Sequence, residues 1–407
     1  MATCGEVLVE ILQDYGVDTI FGIPGVHTVE LYRGLKNTNI RHITPRHEQG
    51  AGFMADGYSR ASGKLAACFI ITGPGMTNIA TAMGQALADS MPMLVISSVN
   101  RSDQLGMGEG RLHELPNQRN LIAEVSRFSH TLLRCDELPR VLARAFAVLR
   151  SARPGPVHIE IPIDVITANA DHIDRKAFPI PYAPGPAPQA IASCIDYLKK
   201  AKRPVIVIGG GAVDASAEVI ALAQQLDAPV VNTVNAKGVV PYSHALAVGG
   251  SGSCPAVRDE LLAADLILAV GTEFGETDYD FFYAGDIQLG GKLLRIDIDA
   301  PQLTRNLRAD LAICSDAALA LQAITEALGD WRPQQSDGEE RAARLRKALQ
   351  TTRDPGYAAF FAAIREALPE VVIVGDSTQP VYYAWIHYET EAARRYFHSA
   401  SGFGTLG

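Results

Sequence analysis

The chain has 407 residues and a formal net charge of −9, with 47% hydrophobic and 20% charged residues. That balance excludes a disordered or fibrous protein, argues against a nucleic-acid partner, and the length is too great for one ordinary domain. The longest apolar runs, such as 66–71 and 266–270, are strand-length and far short of a membrane span. Cys4, Cys68, Cys135, Cys194, Cys254 and Cys314 stand singly, without Cys-x-x-Cys spacing or a secretory leader, so buried thiols in a reducing cytoplasmic compartment are expected.

Val7, Leu8, Ile11 and Leu12 predict a helix over 4–15, and a short strand over 18–21 follows, ended by Gly22-Ile-Pro-Gly25. His27, Thr28 and Glu30 open the next helix at that strand's carboxyl end, where His27 serves either a site or the helix start. A strand over 40–43 stops at Thr44-Pro45, and Arg46, His47, Glu48 and Gln49 fall where the chain turns into a helix. Glu48 is thus a carboxylate at a strand-to-helix junction, the usual place for chemistry in a parallel α/β sheet. Its helix carries Gly50, Gly52 and Gly57, each costing about 1 kcal/mol relative to Ala, yet Phe53, Met54 and Tyr58 keep helical spacing. Either the helix packs tightly in the core, or a second subunit or a cofactor lies against it.

A strand over 66–71 runs into Thr72-Gly-Pro-Gly-Met-Thr-Asn78. This is an ordinary sharp turn, or one whose N–H groups hold an anion or a polar ring. A helix over 76–89 and a strand over 93–97 come next. Residues 100–116 have no clean period and read as a long loop over the sheet carrying Arg111, His113 and Glu114. The strand 157–162 closes a first α/β domain over 1–170. Five prolines over 176–188 mark a stiff linker.

A second α/β unit over 189–329 takes strands at 205–208, 230–233, 266–270 and 293–297, with helices at 215–226 and 256–263. Gly209-Gly-Gly211 misses the dinucleotide spacing because Asp214 stands where the last glycine should be. Apart from the Gly271–Gly275 turn, Asp297 and Asp299, nothing there gathers chemistry, so a structural role is expected. A second linker over 330–340 precedes helices at 340–350 and 357–367. A strand at 371–374, the turn Gly375-Asp-Ser-Thr-Gln379, a helix from Val381, a strand near Tyr396 and Ser401-Gly-Phe-Gly-Thr-Leu-Gly407 start a third unit over 341–407. It lacks the strands to bury its faces.

Phe21-Gly-Ile-Pro-Gly25, His47-Glu-Gln-Gly-Ala51 through Gly57-Tyr-Ser-Arg60, Gly73-Pro-Gly-Met-Thr-Asn78, Pro156-Val-His-Ile-Glu-Ile-Pro162 and Ser401–Gly407 stand in one order. In them the whole chain resembles the thiamine-diphosphate-dependent enzymes of the acetolactate synthase and 2-oxo acid decarboxylase family. The resemblance implies α/β architecture with three doubly wound parallel-sheet domains, namely pyrimidine-binding, central and diphosphate-binding, the third incomplete. It implies thiamine diphosphate and Mg2+. No metal ligand is expected within 1–407, because the family's Gly-Asp-Gly run with its downstream Asn would lie beyond residue 407. FAD, which some relatives hold in the central domain, finds no identifiable site.

By the same resemblance Glu48 hydrogen-bonds the aminopyrimidine ring nitrogen, and Pro24, Gly25, Thr72, Pro74 and Asn78 line the pyrimidine side. Gly375, Asp376, Ser377 and Thr378 match the turn that meets the diphosphate, the Gly404 carbonyl would receive the aminopyrimidine, and Leu406 would hold the cofactor bent. Because the two halves come from different chains, a homodimer or homotetramer with active sites at the subunit interface is implied. The expected reaction is decarboxylation of a 2-oxo acid through a C2-enamine, with 5-guanidino-2-oxopentanoate the nearest likeness. His113 and His27 are candidates for proton relay or carboxylate contact, and Glu114, with Glu109 and Asp103, for a cationic substrate tail. Two alternatives stay open, a carboligase joining two 2-oxo acids and a catalytically inactive assembly or regulatory fragment.

Overall fold

Short apolar runs in the first 162 residues pair, every neighbour parallel, into one sheet. The strands are β1 (Thr19–Gly22), β2 (Arg41–Ile43), β3 (Ala67–Ile70), β4 (Met93–Val99), β5 (Phe128–Thr131) and β6 (Pro156–Pro162), in the order β2-β1-β3-β4-β6-β5. The computed structural model describes residues 1–399 and 402–404, the side chains of Phe281 and Phe282 excepted. The chain falls into two units, 1–182 and 183–407.

Helices on both faces bury β3, β4 and β6 along their whole length, so β3 reads as a continuous apolar run, while Ser97 and Ser98 of β4 and His158 and Glu160 of β6 are polar residues buried with their strands. One face packs on Val7, Leu8 and Leu12 of the helix Cys4–Asp14 and on Phe146 of the helix Leu138–Ser151. The other packs on Ala51 and Ala55 of the helix Glu48–Ser62 and on Met76, Ile79 and Met83 of the helix Pro74–Ala88. From β1 the chain first adds β2 on one side and then crosses to β3 on the other. The crevice between the loops that leave β1 and β3 is therefore a topological switch point, where open parallel sheets bind ligands.

The two helices of the second face touch through Gly52, where a Cβ would lie 2.5 Å from that of Ala82 and 2.9 Å from Ile79 Cγ1. Of the three glycines in the Glu48 helix, only this one answers to packing inside the unit. A Cβ on Gly50 would meet nothing nearer than 3.9 Å, and one on Gly57 nothing within 4 Å. Gly63, in the left-handed region at φ +71°, ends the helix.

A buried ion cluster fastens the far ends of the same pair. Arg60 Nε donates to Asp56 Oδ2 at 2.6 Å, Arg60 Nη2 to Asp89 Oδ2 at 2.7 Å, and Gln85 Nε2 to Asp89 Oδ2 at 2.6 Å. Burial pushes the Asp56 carboxyl up, and the Arg60 guanidinium offsets it.

In the second unit β7 (Pro204–Ile208), β8 (Val230–Asn232), β9 (Leu266–Val270), β10 (Lys292–Asp297) and β11 (Leu311–Cys314) form a parallel sheet ordered β11-β10-β9-β7-β8. β12 (Ile373–Gly375) and β13 (Tyr396–His398) make a separate parallel pair. Residues 176–187 take neither helix nor strand, as their prolines require, while Pro188 opens the helix Pro188–Leu198, a position that needs no N–H. The Gly209–Gly211 turn is closed on itself. Gly209 N–H donates to Val270 O and Gly211 N–H to Gly271 O, and a Cβ on Gly209 would lie 2.2 Å from Gly271 O. These glycines serve close backbone packing and offer neither N–H to a phosphate. Among the described residues no helix is long and apolar enough to cross a membrane.

The Arg60 cluster makes a direct prediction. Arg60→Met strands two buried carboxylates, so it should lower unfolding free energy by about 3–5 kcal/mol in urea denaturation. A loss below about 1 kcal/mol would mean that the cluster contributes no more than a surface pair.

Candidate active site

Loops leaving the carboxyl ends of β1, β2, β3 and β4 come together over the switch point. His47 ends β2's loop as the N-cap, its Nδ1 accepting from Gln49 N at 3.2 Å, and Glu48 is the first helical residue after it. Asn78 Nδ2 donates to Glu48 Oε2 at 2.9 Å, which leaves Oε1 open among the described residues. Glu48 is half-buried, and Gly75 brings the second helix up beside it. A Cβ on Gly75 would lie 2.8 Å from Ile71 Cγ2 and 3.6 Å from Glu48 Cγ. Beneath them, burial and then Cys68 and Glu48 push the Tyr32 phenol up, and Tyr32 OH donates to Phe69 O at 3.3 Å.

The other predicted pyrimidine-side residues differ in exposure. Pro24 and Pro74 are exposed and Gly25 is half-buried, a Cβ there lying 2.5 Å from Ile71 Cδ1. Thr72 is fully buried, and its hydroxyl donates to Gln118 Oε1 at 2.9 Å. It belongs to the wall behind the turn.

His27 and His113 do come together. Their rings are 5.7 Å apart, and each Nδ1 is buried with no hydrogen-bond partner. Burial, and then His113, lowers the His27 pKa, so His27 is a neutral imidazole near pH 7. His113 sits at φ +59°, a costly left-handed conformation for a residue with a Cβ. It is locked there because a Cβ on Gly73 would lie 2.4 Å from His113 O, and because Asn100 Nδ2 donates to Leu112 O at 3.0 Å. Two orphaned buried nitrogens side by side cost stability unless a polar partner meets them.

The acids of the same loop are engaged. Glu114 accepts from Gly108 N at 2.7 Å and Arg111 N at 2.9 Å, and these backbone donors, Arg111's first, hold its carboxyl below the usual range. Glu109 pairs with Arg111 and Asp103 with Arg101.

Behind the turn lies a buried polar chain that the sequence reading did not single out. Gln118 Nε2 donates to Ser98 O, Glu160 Oε2 and Ser97 Oγ at 3.1, 3.0 and 3.2 Å. Ser97 Oγ is 2.9 Å from His158 Nε2, and His158 Nδ1 is 2.9 Å from Ser129 Oγ, which itself donates to Arg119 O. Since Ser129 spends its proton on that carbonyl, His158 must carry its proton on Nδ1 and accept from Ser97 at Nε2. Complete burial holds the His158 pKa down at about 3. Polar residues in an apolar strand such as Pro156-Val-His-Ile-Glu-Ile-Pro162 were the available signal, because each buried one needs a partner.

In the second unit the predicted diphosphate turn follows β12. Asp376 Oδ1 accepts from Ser377 N at 2.7 Å, Thr378 N donates to Asp376 O at 2.8 Å, and Ser399 Oγ donates to Asp376 Oδ1 at 3.3 Å. The turn was expected to offer N–H donors to an anion, but two of them are taken by Asp376. The Ser377 and Thr378 hydroxyls are only weakly tied, the first to Ser399 Oγ and the second to Asp376 O, each at 3.4 Å. Gly375 is packed on Val381, and Gly404 on Asp376 and Ser399, where a Cβ on Gly404 would lie 2.3 Å from each side chain. Leu406 lies outside the described residues.

With this geometry in hand, comparison with known proteins is informative. Residues 2–121 match the N-terminal TPP binding domain of thiamine pyrophosphate enzymes, and residues 191–324 match the central domain of the same enzymes. The whole chain is 45% identical to a probable 2-ketoarginine decarboxylase of Pseudomonas aeruginosa, of which it covers 73%. Over 79% of its length it is 33% identical to a probable acetolactate synthase large subunit of Methanocaldococcus jannaschii, and over 78% it is 34% identical to a glyoxylate carboligase of Escherichia coli. It spans 56% and 54% of those two proteins.

The wall behind the turn has a pH signature. A histidine with a folded pKa of about 3 binds fewer protons folded than unfolded, so its contribution is complete above the unfolded value near 6.5 and is lost as pH falls toward 3. Against the non-titrating His158→Gln, the native chain should lose about 1.4 kcal/mol per pH unit below about 6.5 in denaturant unfolding. Glu160, pushed up by burial, has the opposite slope but is common to both proteins. A pH-independent difference would mean that His158 is not held neutral.

Proposed function

Because this chain belongs to the thiamine pyrophosphate enzymes, we propose that it decarboxylates 2-ketoarginine, that is 5-guanidino-2-oxopentanoate. The observation that carries this is the 45% identity, over the entire chain, to a protein bearing that activity in its name. Thiamine diphosphate with Mg2+ supplies, when bound, the electron sink for the bond that releases carbon dioxide. Pro24, Gly25, Glu48, Thr72, Pro74 and Asn78 hold the pyrimidine side. Gly375, Asp376, Ser377, Thr378 and Gly404 meet the diphosphate side, through hydroxyls and whatever N–H groups Asp376 releases.

Glu48 holds the proton. Asn78 fixes Oε2 and presents Oε1, and a carboxyl can share a proton with a ring nitrogen without moving. The imidazoles of His27 and His113, with orphaned nitrogens, take the substrate's carboxylate end or relay a proton to its carbonyl carbon. Glu114, kept ionised by its own loop, draws the guanidinium tail.

The open face of the Glu48 helix supports a homodimer or homotetramer. Gly50, Met54 and Gly57 share one side, Met54 is 45% exposed, and a Cβ on Gly57 would meet nothing within 4 Å and one on Gly50 only Pro45 at 3.9 Å. A second copy laid there would close the site, with domains over 1–170, 189–329 and 341–407 and a cytoplasmic location. The relatives named acetolactate synthase and glyoxylate carboligase support a second reading, in which two 2-oxo acids are joined.

Product analysis separates the two. With 2-ketoarginine, thiamine diphosphate and Mg2+, equal amounts of carbon dioxide and 4-guanidinobutanal are expected, while acetolactate from pyruvate without any aldehyde would overturn the decarboxylase reading. Glu48→Gln should lower kcat at least about 100-fold with the fold intact, and His113→Ala about 10- to 100-fold. Full activity in either variant removes that residue from the mechanism.

A further inference from the structure

Gln118 is 3% exposed, and its amide orientation is fixed by its partners alone. Oε1 faces Gly73 N at 2.9 Å, a group that can only donate, and also Thr72 Oγ1 at 2.9 Å. Nε2 faces Ser98 O, a group that can only accept, together with Glu160 Oε2 and Ser97 Oγ. Turning the amide over would set donor against donor and acceptor against acceptor. The carboxylate is anchored in turn, because Thr131 Oγ1 donates to Glu160 Oε1 at 2.7 Å.

The two groups that Gln118 holds through its oxygen belong to the turn that begins the helix Pro74–Ala88. That helix carries Asn78 to Glu48 Oε2. Gln118 also ends the loop that bears His113, being the first residue of the helix Gln118–Ala123, whose N-cap Asn117 accepts from Asn120 N at 3.0 Å. The turn and the loop touch directly, Gly73 against His113 O. One buried amide is therefore tied to both sides of the candidate site and to β4 and β6 beneath it.

We infer that Gln118 is a positioning residue which, on the functional reading above, sets the Glu48–Asn78 pair and the His27–His113 pair in one fixed relation. It touches no reacting atom. Its action is to remove the independent motion of the Thr72–Gly73 turn and the His113 loop, so that loss of its amide loosens both segments together while the sheet stays formed.

Hydrogen exchange by mass spectrometry on the full chain, without cofactor, tests this apart from activity. Gln118→Leu should raise exchange about tenfold or more in both 72–78 and 105–117, about the loss of one net buried hydrogen bond, with 4–14 and 138–151 unchanged. No rise in either segment, or an equal rise across residues 1–182, overturns the inference.

The isosteric Gln118→Glu guards against a variant that merely unfolds. It keeps the acceptor toward Gly73 but loses the donors toward Ser98 O. The titratable and charged groups facing that position are Glu160, His158 through Ser97, and Arg119 beyond them, with His113 on the touching loop. Protonation of the new acid restores one donor. Relative to the native chain at the same pH, exchange in 72–78 and 105–117 should therefore recover as pH falls from about 8 to 5.5. Failure to recover means that the donor side carries nothing and overturns the proposed orientation. The expected rise in both segments, seen for a protein whose native chain decarboxylates no 2-oxo acid, would keep the coupling and sink the functional reading instead.

Discussion

The close contact of two helices through Gly52 is the constraint on which the candidate site depends. With a Cβ at 52 only 2.5 Å from that of Ala82, any larger residue would push the helix Glu48–Ser62 off the helix Pro74–Ala88. Their first turns carry the two partners of the site, Glu48 and Asn78, whose contact is a single 2.9 Å hydrogen bond. A shift of one ångström at Gly52 would carry that bond beyond hydrogen-bond distance. The buried Asp56–Arg60–Asp89 cluster at the opposite ends prevents the pair from pivoting about the glycine, and such a cluster contributes geometry more than net stability.

The wall behind the site works by a different physical rule. A fully apolar layer under the Gly73 turn would leave Gly73 N–H without a partner, costing about 1–3 kcal/mol, and would offer the Ser98 carbonyl no side-chain donor. Gln118 satisfies both with one side chain, and Ser97, His158 and Ser129 pass the remaining donors on to the Arg119 carbonyl. The run from Ser97 through His158 and Ser129 to the Arg119 carbonyl has one direction, set by the Ser129 hydroxyl, while the two Nε2 protons of Gln118 are shared among three acceptors. By contrast, the buried Nδ1 atoms of His27 and His113, on the loops beside the turn, have no partner among the described residues.

Much of this was legible from spacing. The parallel α/β class, the strands carrying residues 19–22, 67–70, 93–99 and 156–162, and the junction at Glu48 all followed from apolar runs broken by glycine, proline and polar clusters. β5 and β11 were not legible individually, since Phe128-Ser-His-Thr131 carries no apolar run and Leu311-Ala-Ile-Cys314 is a run of only four residues, and neither strand is fully buried. Gln118 was hidden for another reason. Its partners lie 20 to 46 positions away in sequence, and only the sheet order brings β4, β6 and the Gly73 turn around it. The three glycines of the Glu48 helix were read together, yet Gly52 serves tight internal packing, Gly50 would admit a Cβ in ordinary contact with Pro45, and only Gly57 faces open space.

The same residue type in similar loops also reaches opposite ends, and burial of backbone donors decides which. Gly209 and Gly211 follow a strand as a phosphate-binding turn would, but their N–H groups are consumed by Val270 O and Gly271 O, and the backbone approach they permit is to their own chain. Gly25 and Gly75 likewise follow strands, yet the space they clear is against Ile71, and it brings the Thr72–Asn78 segment close enough for Gly75 to pack beside Glu48. A glycine after a parallel strand therefore marks a close approach without naming the partner. In the second unit that partner is the protein itself. In the first, one oxygen of Glu48 and two imidazole nitrogens are left unpaired among the described residues.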